Sequence, residues 1–562
     1  MKEWKFVLIA ALLILSQVVT ACAPAAAPTV AAPVATEAPA PVVTEAMPVP
    51  TEAPPEPTVA PTATTPPEPV DLVMWLQATV TEAGAPPDDW VAYKIIHDDL
   101  NINLTYVIVP TGADGEAFMN AAAAANDLPD LFQVVSASND SRGALLRLVD
   151  LGLVAPVDDL MPLMPERVKL HYNDPLLIDL VTFNGKLYGL PEPPPLPKRE
   201  GFVIRKDWLD KLNLQPPTNP EELFAVAKAF TEQDPDGNGK NDTYGLGGFI
   251  VTTGGLGNRF DMIMGAWGVP GLWNFTDPAN FGLNVRNPKY PEALAYFKSL
   301  VDAKVIDPDW PTLTRDDFRA RWKQGLFGIM WEDFAALTNK SNYTPFDTNF
   351  PDAGWIPLAA PVGPDGDAYY GVYTGRGNIL AVSQKAADAG KKEAIARFLE
   401  WVATDGYYLL GFGEEGVNYK IDANGNISTE GLDPAQAYTS PERQPFTQWR
   451  NQLVFYNSEQ EIAARYPAYK TINGRTMEPM NFLKFFQSQP WVDGRGIQVI
   501  LPPANAADFD RFYNEGILQF ALGQKELNDA NWAEFLTGLD GLGAKEYEAS
   551  AKQALIDAGL LK

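Results

Sequence analysis

The stretch DPDGNGKNDTYG, Asp234 to Gly245, sets oxygen-bearing side chains at alternate positions of a glycine-rich turn. Asp234, Asp236 and Asn238 fill positions one, three and five of an EF-hand-like loop. Gly239 is the sixth, Lys240 offers its backbone carbonyl at the seventh, and Asp242 stands at the ninth. Hard oxygen ligands around a sharp turn suit calcium. Position twelve is Gly245, so the bidentate glutamate of a sensor loop is missing, and no second loop pairs with this one. The spacing therefore predicts a structural staple rather than a sensor. Extracellular sites of this kind hold calcium at roughly 10⁻⁴–10⁻³ M and add about 1–2 kcal/mol at millimolar calcium. The competing reading is a plain exposed turn, since Asp, Asn and Gly favour turns in any case.

Other chemistries find little material. Cys22 is the only cysteine, so a disulfide within one chain, a cysteine metal site and a cysteine nucleophile elsewhere are excluded. His97 and His171 lack metal-ligand spacing, and no G-x-S-x-G is present. Cys22 has its own context in MKEWKFVLIAALLILSQVVTAC, where two lysines precede an apolar run from Phe6 to Val19. That run is a signal-peptide core, too short to span a bilayer. Thr20 and Ala21 before Cys22 resemble a bacterial lipobox, which predicts lipidation of Cys22 and anchoring on the outer face of the cell membrane. Residues 23–69 carry dense proline, acids and no base, glycine or aromatic residue. Such a segment stays unfolded and extended, a tether reaching on the order of 100 Å. The formal charge of −28 argues against nucleic acid and anionic lipid as partners.

The elements that must position any site begin at Val70. VDLVMWLQATV reads as a buried strand ending near Trp75. A helix with Trp90, Tyr93, Ile96 and Leu100 on one face follows, then a second strand, a helix stopped near Asn126, and strand Leu131–Val135. Alternation of this kind predicts a largely parallel α/β sheet, with ligands beyond the carboxyl ends of its strands. Trp75-Leu76-Gln77 and Ser136-Ala137-Ser138 become rim candidates. The proline run in LPEPPPLPKREG reads as a crossing between lobes, followed by strand Phe202–Arg205. PTNPEELFAVAKAFTEQ is a helix capped by Asn219, with Pro220 at its first position. GLFGIMW reads as a short strand ending at Trp331, and the part after Phe509 is nearly all helix.

FVIRKDWLDKL, PEELFAVAKAFTEQ and DPDGNGKNDTYG resemble segments of the family 1 extracellular solute-binding proteins of ABC importers. NDLPDLF, NGKLYGLP, PEALAYFKSLVDAKVIDPD, FLEWVATDG, FGEEGVNY and FYNEGILQFALG are similar to further segments in the same order, notably in the alginate-binding group. The resemblance implies an α/β, two-lobed periplasmic-binding-protein-like (type II) fold, each lobe a mixed sheet flanked by helices, with a helical C-terminal part. It also implies ligand capture between lobes, no catalysis, and delivery to a membrane permease and its ATPase. The expected division is 1–22 signal peptide, 23–69 tether, 70–190 first lobe and 191–360 second lobe with the loop. Residues 361–410 then return to the first lobe, and 411–562 belong mainly to the second. Calcium ligands carry over as Asp234, Asp236, Asn238, the Lys240 carbonyl and Asp242; Thr243 stands where alginate-binding relatives have a carboxylate.

Sugars present C–H faces to aromatic rings and hydroxyls to planar polar groups. Aromatic residues at strand ends or in glycine-rich turns are therefore the candidates for stacking: Trp75, Trp267, Trp273, Trp331, Tyr370 and Tyr373, each with core packing as the alternative. Arg376 in TGRGN, Asp333 and Glu415 are candidate hydroxyl partners. A monomer binding a neutral oligosaccharide is the default expectation. A surface-anchored glycoside hydrolase, needing two carboxylates about 5–9 Å apart, and a peptide-binding or adhesive lipoprotein are the other classes.

Overall fold

The computed structural model describes residues 68–561, apart from 78–83, 137–139, 165, 167–168, 170–171, 173–174, 193–195, 251–254, 258, 376–377, 444 and 454–457. The chain divides into two units, Met1–Pro66 and Pro67–Lys562. The signal peptide, Cys22 and the tether up to 67 lie outside the described residues. Among the described residues, no helix is long and apolar enough to cross a membrane.

The second unit is built on two sheets. In the first, strand Val70–Gln77 pairs in parallel with Ile102–Val109 on one side and Leu131–Gln133 on the other. Asn378–Val382 follows, antiparallel to both Leu131–Gln133 and Leu190–Glu192. Leu72, Met74 and Leu76 alternate onto one face with Trp90, Ile96 and Trp449. Phe132, Val134 and Leu145 pack on the other. This is the two-faced burial expected of a parallel sheet covered by helices. Trp449, fully buried, is surrounded by Trp90, Tyr106 and Phe398, so a segment far downstream of the first strands completes the core of the first sheet.

The second sheet has the order Trp355–Pro357, Glu200–Arg205, Phe327–Asp333, Tyr244–Gly247, with only the last pair parallel. Every residue of Phe327–Asp333 is buried, as befits a central strand. Helices Ala506–Ala521, Asp529–Gly541 and Ala544–Asp557 pack into the same core through Phe509, Ile517, Phe535 and Leu555. The architecture is thus two α/β sheets with a helical C-terminal part.

Direction decides where a ligand could sit. Gln77, Val109, Gln133 and Glu192 are the carboxyl ends of four strands that run the same way, and Asn378 begins the antiparallel strand at that same end. In the second sheet, Glu200 lies opposite Asp333 at the carboxyl end of the central strand. Residues 193–199 connect Glu192 to Glu200, so this crossing joins the corresponding ends of both sheets.

Candidate functional site

At the strand ends of the first sheet, three amide side chains and the backbone of Gln77 meet. Gln133 Nε2 donates to Gln452 Oε1 at 2.8 Å and Asn378 Nδ2 donates to the same oxygen at 2.9 Å. Gln452 Nε2 donates to the Gln77 carbonyl at 3.4 Å, and the Gln77 N–H donates to Gln133 Oε1 at 2.9 Å. Glu192 sits beside them, buried, with the Tyr172 hydroxyl at 3.5 Å and the Asn378 amide as its neutral partners. Burial pushes its carboxyl up to about 8, because neither partner supplies the charge that a buried carboxylate needs. On the same sheet, the half-buried Trp75 lies 4.8 Å from Phe118, a ring that is 41% exposed. Together these groups offer a ring surface and a hydrogen-bonding edge.

The second sheet presents charges that are already paired. Arg319 holds the fully buried Glu332 through two bonds of 3.0 and 3.1 Å, and Arg259 approaches it at 3.6 Å. Arg259 also donates to the Trp331 carbonyl at 2.7 Å. Arg199 forks onto Asp333, and Asp333 caps helix Phe334–Thr338 by accepting from the Ala335 and Ala336 N–H groups.

Several ring candidates prove to be core. The strand expected to end at Trp331 continues to Asp333, which places Trp331 inside the sheet against Phe202, Tyr370 and Trp491. Trp273 is stacked on Phe281 and met edge-on by Tyr547, and Trp267 packs on Tyr296. Tyr370 accepts from the Phe202 N–H at 2.8 Å and donates to the Leu358 carbonyl, also from the interior. These four rings have no face to offer a sugar in this conformation. Asp333 is spoken for by Arg199. Tyr373 remains half-buried at the crossing, with the Lys198 ammonium 5.8 Å from its ring. Glu415 is exposed in the turn where Gly416 N–H bonds the Tyr419 carbonyl. Arg376 lies outside the described residues. Gln133, Asn378 and Gln452 were not singled out from sequence. Gln133 carries a signal, a polar residue ending an apolar strand, whereas Gln452 arrives from a distant segment.

The acidic loop follows helix Pro220–Glu232, capped as expected by Asn219 accepting from the Glu222 N–H. Asp234 accepts from the N–H groups of Gly237, Asn238 and Gly239, the last at a φ of +78° that favours glycine. Burial opposes ionisation of Asp234, and those N–H groups outweigh it, lowering its carboxyl below the usual range. Asn238 Nδ2 donates to Asp236 at 2.8 Å and to Asp242 at 3.0 Å, drawing these two carboxylates together, while Asn238 Oδ1 accepts from the Lys240 N–H at 2.8 Å. Burial raises Asp236, and the carboxylates of Asp234 and Asp242 add to the rise, a crowding that a cation would relieve. By donor type and by the crowding of its carboxylates the loop suits calcium. Among the described residues, however, no three His, Cys, Asp or Glu side chains gather as a metal cluster. The third group here is an amide. Thr243 is turned inward, its hydroxyl donating to the Phe230 carbonyl at 2.8 Å, and so stands apart from the loop's ligands.

Comparison with known proteins gives this arrangement a context. Residues 97–405, more than half of the chain, match the family of bacterial extracellular solute-binding proteins. A polygalacturonan/rhamnogalacturonan-binding protein of Bacillus subtilis is 30% identical over 343 residues, 59% of this chain and 64% of that protein. The match thus spans less than two thirds of that relative's length. A solute-binding protein from Bifidobacterium longum infantis, described as binding HMO and associated with an ABC transporter, superposes with a TM-score of 0.65. It is 18% identical and covers 88% of this chain and 100% of its own. An EF-hand mutant of a Streptococcus pneumoniae ABC-transporter substrate-binding protein, solved with fructo-nystose, gives 0.61 at 18% identity, covering 86% and 98%. These last two likenesses are of fold.

Proposed function

The chain belongs to the bacterial extracellular solute-binding proteins, and we propose that it captures an oligosaccharide between two lobes and passes it to an ABC import permease. The family is one of binding proteins, not enzymes. The observation that carries the reading is the edge of amides at the strand ends of the first sheet, beside the Trp75–Phe118 ring pair and next to the crossing at 193–199. An amide edge and a ring face answer the two chemistries of a sugar. The Bacillus relative is named for polygalacturonan and rhamnogalacturonan and the Streptococcus protein was solved with fructo-nystose, which supports a carbohydrate ligand.

In this reading the lobes are 70–190 with 378–410 and the segment about Trp449, and 191–373 with most of 411–562; residues 361–373, expected with the first lobe, pack on the second core through Tyr370. They close about the crossing, and the loaded form docks better on the permease, because only differential affinity for the closed state lets ligand count. Trp75, Phe118 and Tyr373 supply ring contacts; Gln77, Gln133, Asn378 and Gln452 supply hydrogen bonds. Calcium at Asp234, Asp236, Asn238, Asp242 and the Lys240 carbonyl braces the second lobe and takes no part in capture. Lipid on Cys22 and the tether 23–69 hold a monomer at the outer face of the membrane.

The test is calorimetric titration of the full chain with a panel of neutral and acidic oligosaccharides. Saturable binding of one sugar per chain, without product release, is expected. Heatless titrations across the panel, or sustained hydrolysis, would sink the reading.

A further inference from the structure

One residue ties the amide edge together. Gln452 lies 319 positions from Gln133, 74 from Asn378 and 375 from Gln77, and it bonds all three. Its partners end or begin three neighbouring strands of the sheet, so a single carboxamide fixes three strand ends relative to one another. After those bonds are counted, hydrogen-bonding capacity is left over. The Gln77 carboxamide and Asn378 Oδ1 have no partner among the described residues, and Gln133 Nε2 keeps a second N–H.

Among the described residues, the edge also carries no charge. Its four members are amides, and the neighbouring Glu192 is buried among neutral groups that leave it protonated at neutral pH. The arginines across the crossing, Arg199, Arg259 and Arg319, are engaged by Asp333 and Glu332. A uronate carboxylate seated against the first sheet would lose water and gain no cation from this edge, whereas hydroxyls pair with amides in both directions.

We propose that Gln452 is a positioning residue for sugar recognition, and that the subsite it organises against the first sheet takes a neutral sugar ring rather than a uronate. The inference rests on the oligosaccharide reading above.

The test titrates the full chain with matched neutral and uronate tetrasaccharides of the galacto, manno and gluco series, alongside melting curves. Wild type should bind a neutral member more tightly than its uronate counterpart. Gln452→Ala should weaken that binding by about tenfold, the equivalent of one to two hydrogen bonds. Gln77→Ala removes a side chain with no contact in the structure. It should weaken binding while the melting temperature stays at the wild-type value, which a purely structural role cannot produce. Gln452→Glu should disfavour uronate members further. Unchanged affinity in Gln77→Ala and Gln452→Ala, or tighter binding of the uronate members by wild type, overturns the inference and leaves sugar capture standing. Failure of wild type to bind any member overturns the oligosaccharide reading itself.

Discussion

Glu192 makes the sharpest quantitative demand on this structure. It is 2% exposed, and the groups that face it are the Tyr172 hydroxyl and the Asn378 amide. Burial pushes its carboxyl from 4.5 to about 8. In the unfolded chain the same carboxyl loses its proton at about pH 4.3. Above that pH the unfolded state has shed a proton that the folded state keeps, so folding stability falls as pH rises. The contribution is intact below the unfolded pKa, drains at about 1.4 kcal/mol per pH unit, and levels off above roughly pH 8. Integrated over the shift, the loss is bounded at about 5 kcal/mol. Asp261, buried with one Gly271 N–H as partner and raised to about 7, adds a second slope of the same sign that ends one unit earlier. Glu192→Gln keeps the shape and carries no proton to lose. Urea unfolding of wild type and variant from roughly pH 5 to 8 should show the variant gaining relative to wild type by about 1 kcal/mol per unit. Parallel pH profiles would refute the argument that this carboxyl is held neutral inside the fold.

Further outcomes follow from the same coordinates. Trp331→Ala should cost about 3–5 kcal/mol of stability by urea melt, since it empties a packed position, while Trp75→Ala should leave stability nearly intact and weaken sugar binding by about three- to tenfold. Chelating calcium should lower the melting temperature by about 2–4 °C; Asp236→Ala should remove that response, and a chelator-insensitive wild type would show that the loop holds its shape without metal. Asn219→Ala should cost about 1 kcal/mol by loss of the bond to Glu222 N–H, read by the same melts.

Local signals were the legible ones. Asn219, Pro220 and Glu222 fix the start of their helix within a few residues, and the alternate acids of 234–242 describe the turn they form. The first three strands and the direction of the first sheet follow from apolar runs separated by helices. Exposure was less readable. Phe327–Asp333 is buried on both faces, so its pattern has no period-two contrast to tell an inward tryptophan from one at a rim. The glycine-rich setting of Trp273 suggested a loop at a surface, yet Phe281 and Tyr547 close over it. Gln452 was invisible because its role depends on a segment that returns, several hundred residues later, to the ends of strands laid down first. The same return brings Trp449 into the first core, a long-range closure that no local window carries.

Small-angle X-ray scattering of the full chain, with and without a saturating oligosaccharide identified by calorimetry, reads lobe closure in solution. The radius of gyration should fall on binding, as two lobes swing shut about the crossing at 193–199. An unchanged scattering curve at full occupancy, with the sugar contacting one sheet only, would contradict capture between lobes.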